Sequence, residues 1–454
     1  MKVVRSLPAL VVAGALACVP AIAAAQSQSL SLSDAVAFAL AHNAGVAQRA
    51  GALAQADNAL ALQKTQTYPT VNGQLQSFLQ KSSNYGGGYA VIGASQQNVT
   101  SQNTASIGTQ YNVNTGGLGF IQLAEAQARD DAARADLKRT QDQIASSVTT
   151  AFYGIAQKDA IVSVDTADAA YQHQLVLDAQ AKERAGVAAG VDVLRAQVNE
   201  KQSQSALLAA QSDAQNARET LAQSIGAPLD VAFAIPAAIA QPALPNGSID
   251  TLVGIAENAR PDVASARLGL RNAHLVRDGY ARELFPTVAL GASFGNQNSP
   301  TTAAFVPNAP RGTPGYWQLQ AVTTFTLPLV DYGARHTERV NDDAAIASAD
   351  AFLTSVSGQA ELDVRQSYRA ARTAQAQLQF ATDESTLGRE AARIAQIQYQ
   401  NGIIALSDVV QAEQTSVKAQ SDLIAARVAY VTAVVNLRIA LGTYDANTAV
   451  ADLR

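Results

Sequence analysis

Two acidic residues stand where a charged group could act on something passing by. Asp192 and Asp408 follow the glycines Gly186 and Gly402, and each opens an Ala- and Gln-rich stretch with no helix breaker. A carboxylate there can accept from the free amides of a helix start. Asp408, beside Ser407, suits such a cap, and the repetition of the arrangement favours that role at Asp192. The adjacent carboxylates Asp130-Asp131 and Asp383-Glu384 have the residue types of an acid–base pair, but they fall on polar helix surfaces where water would solvate them. The histidines His42, His173, His274 and His336 are scattered and read as exposed helix residues rather than bases or ligands. Gly86-Gly87-Gly88 is followed by no Lys-Ser/Thr and lacks a strand-to-helix frame, so it is no phosphate loop. Cys18 is the only cysteine, which argues against a disulfide framework and a Cys/His metal site. No catalytic constellation emerges. The sequence indicates no enzyme, no cofactor and no metal.

The elements that carry these residues belong to an exported chain. Lys2 and Arg5 precede an apolar run from Leu7 to Val19, and Ala23-Ala24-Ala25 stands before Gln26, so residues 1–25 read as a signal peptide. Ala15-Leu16-Ala17 in front of Cys18 fits a lipoprotein signal poorly. No later segment is expected to offer the ~20 uncharged apolar residues of a membrane helix. The whole chain of 454 residues has 32 Lys and Arg against 37 Asp and Glu, a mild acidity that argues against a nucleic-acid partner. Charged residues make up 15% of the chain against a usual ~25%, and its polarity comes from Gln, Asn, Ser and Thr.

The chain is a tandem duplication. Tyr68-Pro69-Thr70-Val71 recurs as Phe285-Pro286-Thr287-Val288, an offset of 217. Gly186 through Asp192-Val193-Leu194 recurs at Gly402 through Asp408-Val409-Val410, an offset of 216. The same register pairs Gly117 with Gly333 and Ile225-Gly226 with Leu441-Gly442. The divisions expected are a first repeat over 26–226, an irregular Pro-rich equatorial connector over 227–248, a second repeat over 249–442 and a carboxy-terminal tail over 443–454. Each repeat runs helix, strand, loop, strand, long helix, tip, helix.

The strands alternate with period two. Val71, Leu75 and Leu79 oppose Asn72, Gln74 and Gln76, and Ile107, Tyr111 and Val113 oppose Gln110, Asn112 and Asn114. In the second repeat Val288, Leu290, Ala292 and Phe294 lead to Trp317, Leu319, Ala321 and Phe325, set against Gln318, Gln320 and Thr324. Nothing between Lys81 and Glu125 is charged. One apolar and one amide face suit lipid outside and water inside. The stretches from Ser82 to Ser106 and from Asn296 to Pro314 read as exposed loops. Tyr111, Trp317 and Phe325 either form an aromatic girdle or pack singly in the sheet.

Continuous helices are expected from Asp34, capped by Ser33-Asp34, to Thr67, from Thr251 to Leu284, from Asp192 to Ile225 and from Asp408 to Leu441. Two much longer ones run from Gly117 to Glu183 and from Ala334 to Gln400, each about 100 Å at 1.5 Å per residue. Four strands cannot close on themselves, and an open edge in lipid leaves backbone groups unsatisfied at several kcal/mol each. Two copies would give an eight-stranded barrel filled by side chains. Three copies give twelve strands and an aqueous bore. The fold class expected is therefore mainly α with a membrane β-barrel: four strands per chain in a trimeric twelve-stranded barrel, continued by a long α-helical coiled-coil barrel. The competing architecture is an exported coiled-coil structural or adhesive protein with a soluble sheet.

The tip segments Arg184-Ala-Gly186-Val-Ala-Ala-Gly-Val-Asp192-Val-Leu-Arg-Ala-Gln197 and Tyr399-Gln-Asn-Gly402-Ile-Ile-Ala-Leu-Ser-Asp408-Val-Val-Gln-Ala412 resemble those of the TolC family of outer-membrane channels. Leu30-Ser-Leu-Ser-Asp-Ala35 with Asn43, and the turn Asp331-Tyr-Gly-Ala-Arg335, also look like that family. Ala44 stands where the family usually has proline, while Pro261 fills the matching place in the second repeat.

The resemblance implies a homotrimeric exit duct in outer-membrane lipid, extending into the periplasm. It would meet a periplasmic adaptor and an inner-membrane RND, MFS or ABC transporter, and pass small molecules or drugs unchanged. The same duct shape would serve a type I protein secretion system. By resemblance Asp408 belongs to an acidic gate ring, a reading that stands beside the helix cap. The family's second acidic position is Gln411 here, and Asp192 and Arg195 are the first-repeat counterparts. Tyr399 matches a tip tyrosine that holds the closed state, but its companion arginine is replaced by Ile404; ordinary coiled-coil packing is the other reading. Gly186-Val187 and Gly402-Ile403 would form the tips that adaptors grip, or serve only as turns.

Overall fold

The computed structural model describes residues 30–84, 96–235, 239, 241–283, 285–298, 301–303, 316–327, 329–330 and 332–444. Residues 1–29 with Cys18, Gly86-Gly87-Gly88, Asp331, most of the 296–314 stretch and residues 445–454 lie outside the described residues.

The first described helix opens at a capping box. Ser31, not Ser33-Asp34, caps α1 (Leu32–His42). Its Oγ accepts from the Asp34 amide at 3.3 Å, while Asp34 accepts from the Ser31 amide at 3.2 Å. The expected single helix to Thr67 is two. Asn43 adopts an extended ψ of 127°, and its Oδ1 accepts from the Gly45 amide at 2.8 Å to start α2 (Ala44–Thr65). The second repeat breaks at Arg260 with the same ψ of 127° between α5 (Ile249–Ala259) and α6 (Pro261–Arg282). Pro261 enforces that break by lacking an amide proton, and the Asn43 side chain achieves it without proline.

The sheet is longer than its alternation suggested. β1 (Thr70–Asn84) pairs with β2 (Gln96–Asn114), β2 with β3 (Thr287–Asn298), and β3 with β5 (Tyr316–Thr326), all antiparallel. Part of the expected Ser82–Ser106 loop is therefore strand. β4 (Thr301–Ala303) pairs Asn98 with Ala303, the register that already joins Asn103 to Asn298, so it prolongs β3. The order β1-β2-β3-β5 leaves β1 and β5 as open edges.

Two helices of 67 residues, α3 (Leu118–Arg184) and α7 (Ala334–Gln400), run about 100 Å each from the sheet to the far tips. From those tips α4 (Gly190–Ile225) and α8 (Leu406–Ala440) return roughly half-way, and α2 and α6 fill the other half of the length. Neighbours are α4, α3, α8 and α7 on the tip side, and α2, α3, α6 and α7 on the sheet side. The resulting wall is one layer of helices thick.

Its core lies at the equator, where chain elements from both repeats meet. Val148, Phe152 and Ile155 of α3 pack with Leu221 and Ile225 of α4, Val431 and Val435 of α8, and Phe233 of the connector. The connector is stitched down by backbone bonds from Leu30 to Ala232 and from Ala234 to Leu30, and by the Tyr430 hydroxyl donating to Pro242 O at 2.7 Å. Among the described helices α8 has the length and mean apolarity of a membrane span, but its longest uncharged run is the ten residues between Arg427 and Arg438. Its Val431, Val434, Val435 and Leu437 are instead buried against other helices.

Candidate functional site

The strands present two unlike surfaces. On one, Val71, Leu75, Ile107, Leu290, Phe294, Leu319 and Phe325 are exposed together. Leu75 keeps 88% of its surface open, a state that water penalises by about 25 cal/mol per Å² of apolar area. On the other lie the amides. The sheet coils so that this second face is concave, enclosing a hollow of about 500 Å³ lined by residues such as Asn72, Gln74, Gln110, Ser293 and Gln320. Glycine makes the tight coil possible: a Cβ on Gly295 would sit 2.6 Å from Ala105 O and 2.7 Å from Ser106 Cβ. Every residue of β5 is exposed, on both faces.

The three aromatic candidates do not gather at one level. Phe325 and Tyr111 lie toward the helical end of the apolar face, where Phe325 pairs with Val288 and Tyr111 with Leu290. Trp317 is near the far end of β5, stacked on Phe294 at 5.2 Å between centroids. Eight residues at about 3.4 Å each separate Trp317 from Phe325, or about 27 Å along the strand.

At the opposite end of the molecule the two helix hairpins end in the same turn. Gly186 (φ 74°) and Gly402 (φ 73°) are left-handed. The amides of Val187 and Ile403 donate back to Lys182 O at 3.0 Å and Gln398 O at 2.8 Å. The glycine amides bond to Glu183 O and Tyr399 O, completing a Schellman motif in each hairpin. Turn chemistry thus accounts for both glycines. It also places Val187 (74% exposed) and Ile403 (69%) at the outermost points.

Neither aspartate is the residue that caps its helix. The N-caps are Ala189 and Ala405, with no side-chain cap bond, and Asp192 and Asp408 lie three residues further on, in the first turn. Their charge there complements the positive end of the helix dipole. Asp192 is part-buried, 4.0 Å from Arg195, whereas Asp408 is exposed and accepts from the neighbouring Ser407 hydroxyl at 3.3 Å. Arg195 and Gln411 come together on a groove of about 390 Å³ between α4 and α8, whose floor includes Val191, Leu194, Val198 and Val410.

Tyr399 is buried among Leu175, Val176 and Ala179 of α3 and Leu406 and Val409 of α8, so it joins the two hairpins. The residue the sequence reading missed is Lys182. Its Nζ lies 3.4 Å above the Tyr399 ring centroid and donates to Tyr399 O at 2.5 Å. A cation therefore does meet the tyrosine, from the other hairpin rather than from position 404. The available signal was a lysine in the last turn before Gly186. Burial, with Asp178 and Asp192 nearby, raises the Tyr399 hydroxyl above its ordinary range.

Three further acids inside the wall were also unforeseen. Asp168 on α3 and Glu413 on α8 are raised by burial, Glu413 further by the charge of Asp168, and Asp165 by burial and then Asp168. Of the adjacent pairs, Asp383 and Glu384 are exposed as expected. Asp130 is not: it is buried and held by Arg134 at 3.0 Å, which also reaches Asp57 of α2. All four histidines are exposed on helices.

Residues 36–227 and 252–443 each match the outer membrane efflux protein family. A membrane protein from Pseudomonas aeruginosa shares the fold with a TM-score of 0.73 at 20% identity, over 90% of this chain and 93% of that one. The CmeC outer membrane channel of Campylobacter jejuni does so at 0.72 and 15% identity, over 92% and 88%. The outer membrane protein VceC of Vibrio cholerae gives 0.70 and 18%, over 90% and 96%. No curated protein sequence matches the chain.

Proposed function

The chain belongs to the outer membrane efflux protein family, and from that premise we propose that three copies form the passive exit duct of a tripartite efflux pump. The observation that carries this reading is the sheet, with an apolar face open to its surroundings, a concave amide face and two unpaired edges. Lipid satisfies the first, a water-filled bore the second and neighbouring copies the third. The helical wall would continue that bore about 100 Å into the periplasm. The tips would meet a periplasmic adaptor through Val187 and Ile403, and an inner-membrane transporter of the RND, MFS or ABC type would supply the energy. Substrate crosses without a bond being made or broken. Around the threefold axis three copies of exposed Asp408 would favour cations at the entrance, with Arg195 and Gln411 moderating that field.

Reconstitution into planar bilayers tests the duct: trimers should conduct ions, with conductance falling when multivalent cations are added on the tip side. A non-conducting protein that fractionates away from the outer membrane would overturn it. Deleting the gene should raise drug sensitivity and leave the secretome unchanged. The reverse outcome would assign the duct to type I protein secretion.

A further inference from the structure

The two repeats of one chain and the three chains of the duct make a ring of six related hairpins, and that relation fixes how one copy pairs with the next. Within a chain, β1 and β2 superpose in register on β3 and β5. Thr70↔Gln110 corresponds to Thr287↔Thr326, an offset of 217 for the first strands and 216 for the second. The seam between the repeats is also known: Gln110↔Gly291 and Ile107↔Phe294, for example, join β2 to β3. A closed barrel needs a consistent stagger around its circumference. Carrying the repeat relation on around the ring makes the seam between chains a copy of the seam between repeats. We propose that β5 of one copy pairs antiparallel with β1 of the next in the register Thr326↔Gln74, Thr324↔Gln76 and Thr323↔Ser77. This deepens the duct reading and rests on it.

A second observation, not used in deriving that register, agrees with it. Apart from Tyr316 at the start of β5, the amide face has two large apolar exceptions on the edge strands, Phe78 on β1 and Val322 on β5, both exposed. Alone among glutamines and threonines, each is poorly placed. The copied register sets Val322 directly opposite Phe78 of the next chain, where the two cover one another on the lumen side. The same alignment opposes Phe325 to Leu75 and Ala321 to Leu79 on the lipid side. A slip of one residue would set apolar side chains against amides along the whole seam, and a slip of two would separate Val322 from Phe78.

Cysteine pairs decide the matter, since the sequence has only Cys18, in the leader. Ser77→Cys with Thr323→Cys, and Gln76→Cys with Thr324→Cys, lie on opposite faces and alternate between hydrogen-bonded and non-hydrogen-bonded pairs, so at least one has the Cβ spacing a disulfide needs. Mild oxidation of outer membranes should yield covalently linked chains, up to trimers, on non-reducing gels. Leu75→Cys with Thr323→Cys, shifted by two residues to a diagonal of about 7–8 Å, should not cross-link. Preferential cross-linking of the shifted pair, or none with either direct pair while native mass spectrometry shows three copies, would overturn the register. A single copy in detergent would overturn the duct itself. Phe78→Ala and Val322→Ala supply an independent reading. Each should lower the temperature at which the trimer dissociates in detergent, and together they should lower it by no more than the larger single effect. Additive losses would mean the two side chains do not meet.

Discussion

The two ends of the molecule satisfy their groups in opposite ways. At the tips, buried apolar residues of both hairpins cover one another, and Lys182 spans from α3 to the Tyr399 ring and carbonyl. At the sheet, Leu75, Leu319 and Phe325 stay exposed on the apolar face, and β1 and β5 end in unpaired edges. The tip end is thus held by contacts that a single chain supplies. The strand end becomes stable only through lipid and other copies, which makes assembly obligatory there.

The contrast breaks most severely at Gly295. Gly295→Val places a side chain 2.6 Å from the Ala105 carbonyl, so the coil of the sheet cannot form. Loss of the protein from the outer-membrane fraction is expected, while Gly269→Ala, in open space on α6, should leave its yield unchanged.

Next in size are the two faces of β1. Leu75→Arg on the apolar face should destabilise the barrel by about 2–4 kcal/mol, read as a lower trimer dissociation temperature. Gln74→Arg, one residue away on the concave face, should leave that temperature nearly unchanged and shift conductance toward anions. Equal destabilisation by both would show that the apolar face does not meet lipid.

At the tips the effect is smaller. Lys182→Met removes a cation–π contact of about 0.5–2 kcal/mol together with a hydrogen bond to Tyr399 O. Its expected outcome is a higher open probability in bilayers with trimer stability intact. The same change at Gln398, the repeat partner of Lys182, should alter neither.

The smallest effect concerns pH. Asp168 and Glu413 are raised in the folded wall, so the protonated forms favour folding. Their contribution is fully present below the ordinary carboxylate range and is lost as pH rises through the raised folded values. Glu413→Gln should therefore increase the melting temperature at pH 8 by a few degrees and have little effect near pH 4. An equal gain at both pH values would mean that packing, and not ionisation, is responsible.

Much of this was written in local patterns. Alternation from Val71 to Leu79 and from Trp317 to Phe325 specified strands with one apolar and one amide face, because side chains of an extended chain alternate whatever surrounds them. The offset of 216 to 217 specified two equal halves, and the breaker-free runs to Glu183 and Gln400 specified the long helices almost to the residue. What failed locally had a competitor the pattern does not encode. The run from Asp34 to Thr67 looked unbroken because Asn43 ends a helix through its side chain, not through a missing amide. Asp408 and Asp192 looked like caps, but the Schellman turns before them deliver alanines to the cap positions.

The sequence by itself determined the elements, their duplication and the need for further copies, since these follow from periodicity and from a strand count too small to close. Only the tertiary structure decided which face of the sheet is concave, that Lys182 finds Tyr399 across 217 residues of chain, and that Asp168 and Glu413 lie half-buried near one another. Those facts depend on how twisted strands and packed helices are placed in space. Nearest-neighbour chemistry along a chain carries no record of distance between its remote parts.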